Sequence, residues 1–576
     1  MLLPSAAQPA AVTRTANVFR GVNRPAAAAL TEFTRMKNLS SRDFPALSVR
    51  ERRGLGEVIS DPQGITVRDA LCIAADGAVT LNGVAVAGLT LSPGRKQLVA
   101  MGAYELIFPD KLYFNTQDTT DSGSMEVRSS ASGTVSAVLC TASGTQISPI
   151  VGAEPPNDPE NGELWLDTSG ETPLLRVYSS DATLWTEQES FVRISASWLG
   201  SGLSPHDGIA LAGLTGTASH LNGSVVVADA GRDYITIRGA LTASHSQQGG
   251  VTAERTVPDM DFVTECGHRL WGCFYGLKNG VPVNEIYASR LGDFKSFAAF
   301  EGLSTDSYAA SRGADGCFTG AAVFAGQPIF FREDSMERVI PSESGAHRIV
   351  TEACRGVRQG CDRSVCAVGE SLYWLSRDGV VRYRGASPEL ISGAVPAETW
   401  SDARGGVLGS RYYLSVREQE GGYALWCYDT VRDLWHREDC VKALGFAAKD
   451  GDLYWIDERT GRLTTARGTA GTQEAAVDWE AETAELTASG AEHGRLVRLI
   501  LRGELEPNAS FSVAAQYDGG LFWHPLGSVS ALTDGLRRFR IPFLPRRCGS
   551  LRLRLRGHGG LRLRDVTAVW ERGSDV

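Results

Sequence analysis

The sequence predicts an all-β protein built around a β-propeller of about six or seven blades. Three observations carry that expectation. Sixty-four of the 576 residues are glycine, many in Asp-Gly or Asn-Gly pairs between short apolar runs, the strongest local hairpin signal. Groups of three or four short strands recur at roughly 40–50 residues through 258–467, the period and content of propeller blades. Beyond 475, apolar and charged residues alternate with the period of a strand.

Residues 1–60 read as an N-terminal arm. It holds a strand-like piece at 17–23, a run at 26–36 that suits either a helix or extended chain, and an irregular stretch at 37–45 rich in Ser, Asn, Asp and Pro. Arg50, Arg52 and Arg53 end it. The arm is too poor in apolar periodicity to fold alone, so it is expected to dock on another subunit or another protein. Residues 61–144 open the propeller, with turns at Asp76-Gly77 and Asn82-Gly83. Residues 145–190 interrupt it as a small inserted β-module: the turn cluster Pro155-Pro156-Asn157-Asp158-Pro159 precedes short strands at 164–169, 174–178 and 184–185. The rest of the propeller spans 191–470. Its repeating units bury one another's faces because a single blade cannot bury both of its own. Residues 475–576 complete the chain as a jelly-roll-like β-sandwich.

A chain of this length holds about three to five domains. The formal net charge of −10 gives no overall nucleic-acid signature, although arginine gathers near the C-terminus. Residues 1–11 carry no Lys or Arg, so no signal peptide is expected. No window approaches ~18 unbroken apolar residues, so no membrane span is expected. The protein should be made in the cytoplasm and reach any outside location by assembly. Cysteine usage is odd in number, at eleven. The Cys266/Cys273 and Cys361/Cys366 spacings do not match a C-x2-C knuckle and no His pair follows, so reduced core thiols are expected, with no metal and no cofactor.

Propellers also host glycosidases, so the acids matter. Asp259 and Asp261 would share one strand face near Glu265, and a hydrolase needs two carboxylates ~5–9.5 Å apart. Without a supporting nucleophile or arginine cluster, no catalytic residue is assigned. No G-x-S-x-G, Walker or HExxH string occurs, and Asp450-Gly451-Asp452 lacks the further ligands of a calcium loop. His436 is expected to be a satisfied surface residue. Trp165, Tyr178 and Trp185 are candidate glycan contacts, but a miniature core for the inserted module is the favoured role. The densest charge feature is Leu551-Arg552-Leu553-Arg554-Leu555-Arg556. Its leucines should face a core and Arg552, Arg554 and Arg556 an exposed face. With no aromatic between 551 and 564, this face is expected to meet acids of a protein partner rather than grip DNA.

Several phrases together resemble the tail nozzle or hub proteins of tailed phages. In the arm these are Phe19-Arg20-Gly21-Val22-Asn23 and Asn38-Leu39-Ser40-Ser41-Arg42-Asp43-Phe44-Pro45. In the propeller they are Arg269-Leu270-Trp271-Gly272-Cys273, Ile286-Tyr287-Ala288-Ser289, Gly292-Asp293-Phe294, Tyr428-Asp429-Thr430 and Leu434-Trp435. At the end they are Pro545-Arg546-Arg547-Cys548 and Gly573-Ser574-Asp575. The inserted module is similar to modules of phage fibres and tail proteins. The resemblance implies a non-enzymatic virion protein, a ring of identical subunits in the tail. It would contact portal, adaptor or other tail proteins while double-stranded DNA passes transiently through. A host-surface receptor-binding adhesin and a propeller glycan hydrolase are the alternatives.

Overall fold

The computed structural model describes residues 11–25, 30–313, 316–487 and 494–572. The phrase at 573–575 lies outside them. Regular structure in the described residues is almost all strand, with three short 3-10 turns. Six antiparallel sheets share one plan, four strands joined in sequence order, at 62–85, 97–124, 262–311, 320–353, 366–390 and 401–437; a seventh, at 443–465, has three strands in that order and two more from elsewhere, Gly54–Val58 and Thr472–Gln473. The first strands of successive sheets touch in cyclic order, with the seventh returning to the first; the fourth reaches the fifth through the turn Asp362–Ser364. This is a propeller-like arrangement.

The Asp-Gly and Asn-Gly pairs do what their chemistry allows. Asp76 and Gly77, Asn82 and Gly83, and Asp450 and Gly451 all have positive φ, the double left-handed bend that matches the twist of a two-residue hairpin. Between sheets, apolar faces interlock. Trp271 packs with Phe318, Phe330 and Val339 between the third and fourth, and Trp455 with Tyr413 and Leu425 between the sixth and seventh. The seventh sheet takes its fourth strand, Gly54–Val58, from the arm, where it pairs with Arg462–Thr465, and Thr472–Gln473 pairs on its other side. Chain from before the first sheet therefore completes the last.

Residues 127–144 and 191–255, expected to contribute blades, do not. The strands Val127–Ser130 and Ser132–Cys140 form one run, His245–Gln248 and Thr252–Arg255 another, and the two runs pair from Val127↔Arg255 to Ala137↔His245. The eight-stranded sheet of this segment thereby closes on itself as a barrel with its own apolar core. Alternating strands separated by turns are common to blades and barrels, so local pattern does not separate them. The inserted module, whose strands span 150–187, joins the barrel core through Leu166 and Leu175.

Beyond 475, two sheets face each other across a shared core containing Trp479, Leu499, Phe511, Val513, Leu553 and Trp570. The arm is part of them. Ala11–Ala16 pairs with Leu561–Arg572, Leu47–Val49 pairs with the same strand, and Phe33–Lys37 pairs with Asp478–Thr483. The arm thus docks within its own chain, where another subunit or another protein was expected. The run at 26–36 ends as strand Phe33–Lys37, not helix. An arm without apolar periodicity gains order because neighbouring sheets supply its hydrogen-bond partners.

Gly21 shows how tightly the arm is seated. Its φ is +75°, and a Cβ there would lie 2.2 Å from the Trp435 carbonyl oxygen, to which Val22 N–H donates at 2.7 Å. Gly21→Ala adds left-handed strain to a backbone clash. We expect it to cost about 3 kcal/mol in urea unfolding; a loss under about 1 kcal/mol would show that the arm is held elsewhere.

Candidate functional site

The Leu/Arg strand Ser550–His558 behaves as its pattern requires. Leu551, Leu553 and Leu555 are buried and the arginines point outward. The arginines also have acidic partners within the chain. The adjacent strand Asp478–Thr483 presents Glu480 and Glu482 on the same face. Arg556 meets Glu480 at 2.5 Å and Arg552 meets Glu482 at 3.4 Å, with Arg554 at 3.9 Å. Burial would raise Glu480, but Arg556 and Arg35 hold it below its ordinary range; burial and the Glu480 charge push Glu482 up. An aromatic is present after all: Trp523 lies under the Arg554 guanidinium at 4.3 Å, from a loop distant in sequence. Glu480-Ala481-Glu482 was a readable complement to the Arg-x-Arg spacing, since cross-strand pairs share period 2.

Arg552 also opens into a cleft of about 400 Å³ between the sixth sheet and the sandwich, together with Arg24, Arg35, Trp400, Glu418 and Arg437. Below it lies a buried charged joint. Arg53 pairs with Glu438 and Asp439, and stacks over Trp455 at 4.9 Å. Arg50 pairs with Glu474 at 2.8 Å and donates to Asn38 Oδ1 at 2.9 Å, while Ser41 donates to Asp429. Arm, sixth sheet and sandwich meet here.

In the inserted module, Trp165 is buried and its indole donates to the Gly152 carbonyl at 2.9 Å. Trp185 sits 5.4 Å from Trp165 and 5.3 Å from Tyr178. The three rings form one cluster, with Arg176 over Trp165 and paired to Asp167.

The acid pair is committed elsewhere. Asp259 is ion-paired to Lys111 at 2.8 Å, and Asp261 accepts the Tyr275 backbone N–H at 2.8 Å. His436 is not at the surface: it is 1 % exposed, and neither ring nitrogen has a hydrogen-bond partner. Charged neighbours Arg437-Glu438-Asp439 follow it in sequence, but the strand Leu434–Arg437 lies against the arm, which covers it. The cysteines are all free and most are buried. No group of three metal-ligating side chains occurs among the described residues.

Two features went unread in the sequence. Arg363 donates to the carbonyls of Leu444 and Lys96 at 3.1 and 2.6 Å. It joins the lead-in to the fifth sheet with the seventh and the approach to the second, so its guanidinium crosses the middle of the ring. Glu105 is 1 % exposed with one carboxylate oxygen unpartnered. Burial pushes it up to about 7, against the opposing Arg68 charge. The unfolded carboxyl releases its proton near 4.5. The folded state keeps that proton up to about 7, so stability falls as pH rises between these values and levels off above. The loss is about 3 kcal/mol. Glu105→Gln should abolish that fall, as read by urea unfolding at about pH 5 and pH 8; an unchanged slope would place the effect elsewhere.

No protein-family model matches the chain, and no curated protein matches it. Among solved structures, it is similar to an exo-β-1,3-galactanase from Phanerochaete chrysosporium at 8% identity, over 53% of this chain and 94% of that one, with TM-score 0.21. Citrobacter koseri AztD matches at 9% identity over 74% and 94%, with TM-score 0.26. The Pyrococcus horikoshii acylaminoacyl peptidase matches at 9% over 50% and 47%, with TM-score 0.24. Likenesses this weak assign no activity to the chain.

Proposed function

We propose that this chain is a non-catalytic structural component of a phage tail, a nozzle or hub. Its ring of sheets is a seven-bladed propeller, and its sandwich a jelly roll completed by the arm. One observation carries the reading: phrases scattered over the sequence that resemble such proteins meet in space. Val22 of the first phrase bonds to Trp435 of another, and Ser41 of the second bonds to Asp429 of a third. In the third sheet, Arg269 and Leu270 bond to Ser289. The first two contacts join the arm to the sixth sheet and the last two brace a single sheet, a framework such as a load-transmitting virion part requires.

With Arg363 across the middle of the propeller, its own bore is no route for DNA. A conduit would run between subunits arranged around the tail axis. The commitments of Asp259, Asp261 and Trp165 weigh against the hydrolase and adhesin alternatives. The test is compositional: purified particles from the source phage, probed by mass spectrometry and by gold-labelled antibody. The protein should appear in several copies per particle, with label at the tail. Particles that contain their other tail proteins but lack this one would sink the proposal.

A further inference from the structure

The sandwich carries a feature that a purely internal part does not need. The hairpin between Ser510–Tyr517 and His524–Ser530 turns through Asp518-Gly519-Gly520-Leu521-Phe522-Trp523. At its tip Leu521 is 88 % and Phe522 76 % exposed. The connection from Leu536–Ile541 to Arg547–Cys548 ends at the same edge and exposes Leu544 by 91 %. The hairpin is tied to the second loop through Arg546 and to the chain just past Arg547–Cys548 through Asp518. Asp518 accepts the backbone N–H groups of Gly549 and Ser550 at 2.7 and 3.0 Å, and Arg546 stacks over Tyr517 at 5.0 Å.

Three large apolar side chains at loop tips cost solvation and add nothing to the sandwich core. They form a convex prong rather than a flat patch. Two cations accompany it: Arg546, stacked on Tyr517 at the hairpin, and Arg540, on the strand that leads to Leu544; both are exposed, and among the described residues neither has a carboxylate at ion-pair distance. Trp523 sits at the base of the prong, partly buried beneath Arg554. Two open clefts among the described residues are charged or polar at their rims, the cleft with Arg24, Arg35 and Glu418 and the sandwich groove with Lys37, Asp478 and Glu480.

We infer that Leu521, Phe522 and Leu544 insert into an anionic lipid surface while Arg540 and Arg546 meet its headgroups. Apolar tips enter the boundary between headgroups and acyl chains, indole prefers that same boundary, and each nearby arginine adds attraction to anionic lipid. The inference stands on these loops alone and does not depend on the tail reading.

The test uses the full chain and sedimentation with vesicles of phosphatidylcholine alone or of equimolar phosphatidylcholine and phosphatidylglycerol. The protein should co-sediment with the anionic vesicles and release as salt is raised. The double variant Phe522→Asp/Leu544→Asp should bind at least about tenfold more weakly. Arg540→Gln/Arg546→Gln should also weaken binding about tenfold, on anionic vesicles only. All four positions are exposed, so circular dichroism and melting should match the parent chain. No binding to either vesicle overturns the inference, as does binding that the aspartate variant retains. So does self-association that the aspartate variant dissolves without any vesicle binding, which would make the prong a protein contact.

Discussion

Arg53→Met should destabilise the protein by about 3–5 kcal/mol, among the largest losses available from one exchange of similar volume. Arg53 is almost fully buried, with Glu438 at 2.8 Å and Asp439 on its other terminal nitrogen. Methionine keeps much of the packing against Trp455 but leaves Glu438, itself buried, without its counter-charge. Breaking a buried pair from one side is costly because the remaining charge stays desolvated. The second exchange separates charge from packing: Glu438→Gln in the Arg53→Met background should recover part of the loss, giving a coupling of about 1–3 kcal/mol in a double-mutant cycle. Urea unfolding of the four proteins measures it. Additive losses would mean that Arg53 holds the arm by shape and not by charge.

That joint also marks the limit of what a linear reading reaches. The sheets at 262–465 were legible because short apolar runs, several of them buried along their length as at Ser371–Ser376 and Tyr423–Asp429, are separated by turns with their own chemistry, as at Asp450-Gly451. The barrel used the same strands and turns; only the pairing of Val127 with Arg255, far apart in the chain, distinguishes it from two blades. The arm read as irregular because its order comes from partners such as Asp478 and Glu474 near the other end of the chain. On the arginine face, alternation told which side chains point outward. It did not tell what they meet, because Glu480 stands 76 residues from Arg556 in sequence and one strand away in space. The aromatic cluster of the inserted module fell on the right residues, since Trp165, Tyr178 and Trp185 lie on short adjacent strands.

Acid should weaken this protein through His436 in particular. The ring is buried with neither nitrogen partnered. Burial, reinforced by the Arg411 charge and only partly opposed by Asp429, lowers its pKa to about 3. In the unfolded chain the imidazole takes up its proton near 6.5. As pH falls below that value the unfolded state gains a proton that the folded state refuses, so stability drops steadily until about pH 3, where the folded ring also charges. The full contribution is present above 6.5, and the loss across the window is about 5 kcal/mol. Paired carboxylates such as Glu474 add their own acid sensitivity at lower pH, so the informative quantity is the difference between the parent chain and His436→Leu. Leucine has similar bulk and no nitrogen to leave unsatisfied. The variant should be more stable by about 1–3 kcal/mol at pH 7. Its advantage should widen toward pH 4, as read by urea midpoints at matched slopes. An advantage that stays constant across that range would mean that the imidazole finds water or a partner when it charges, and that the site opens before the fold does.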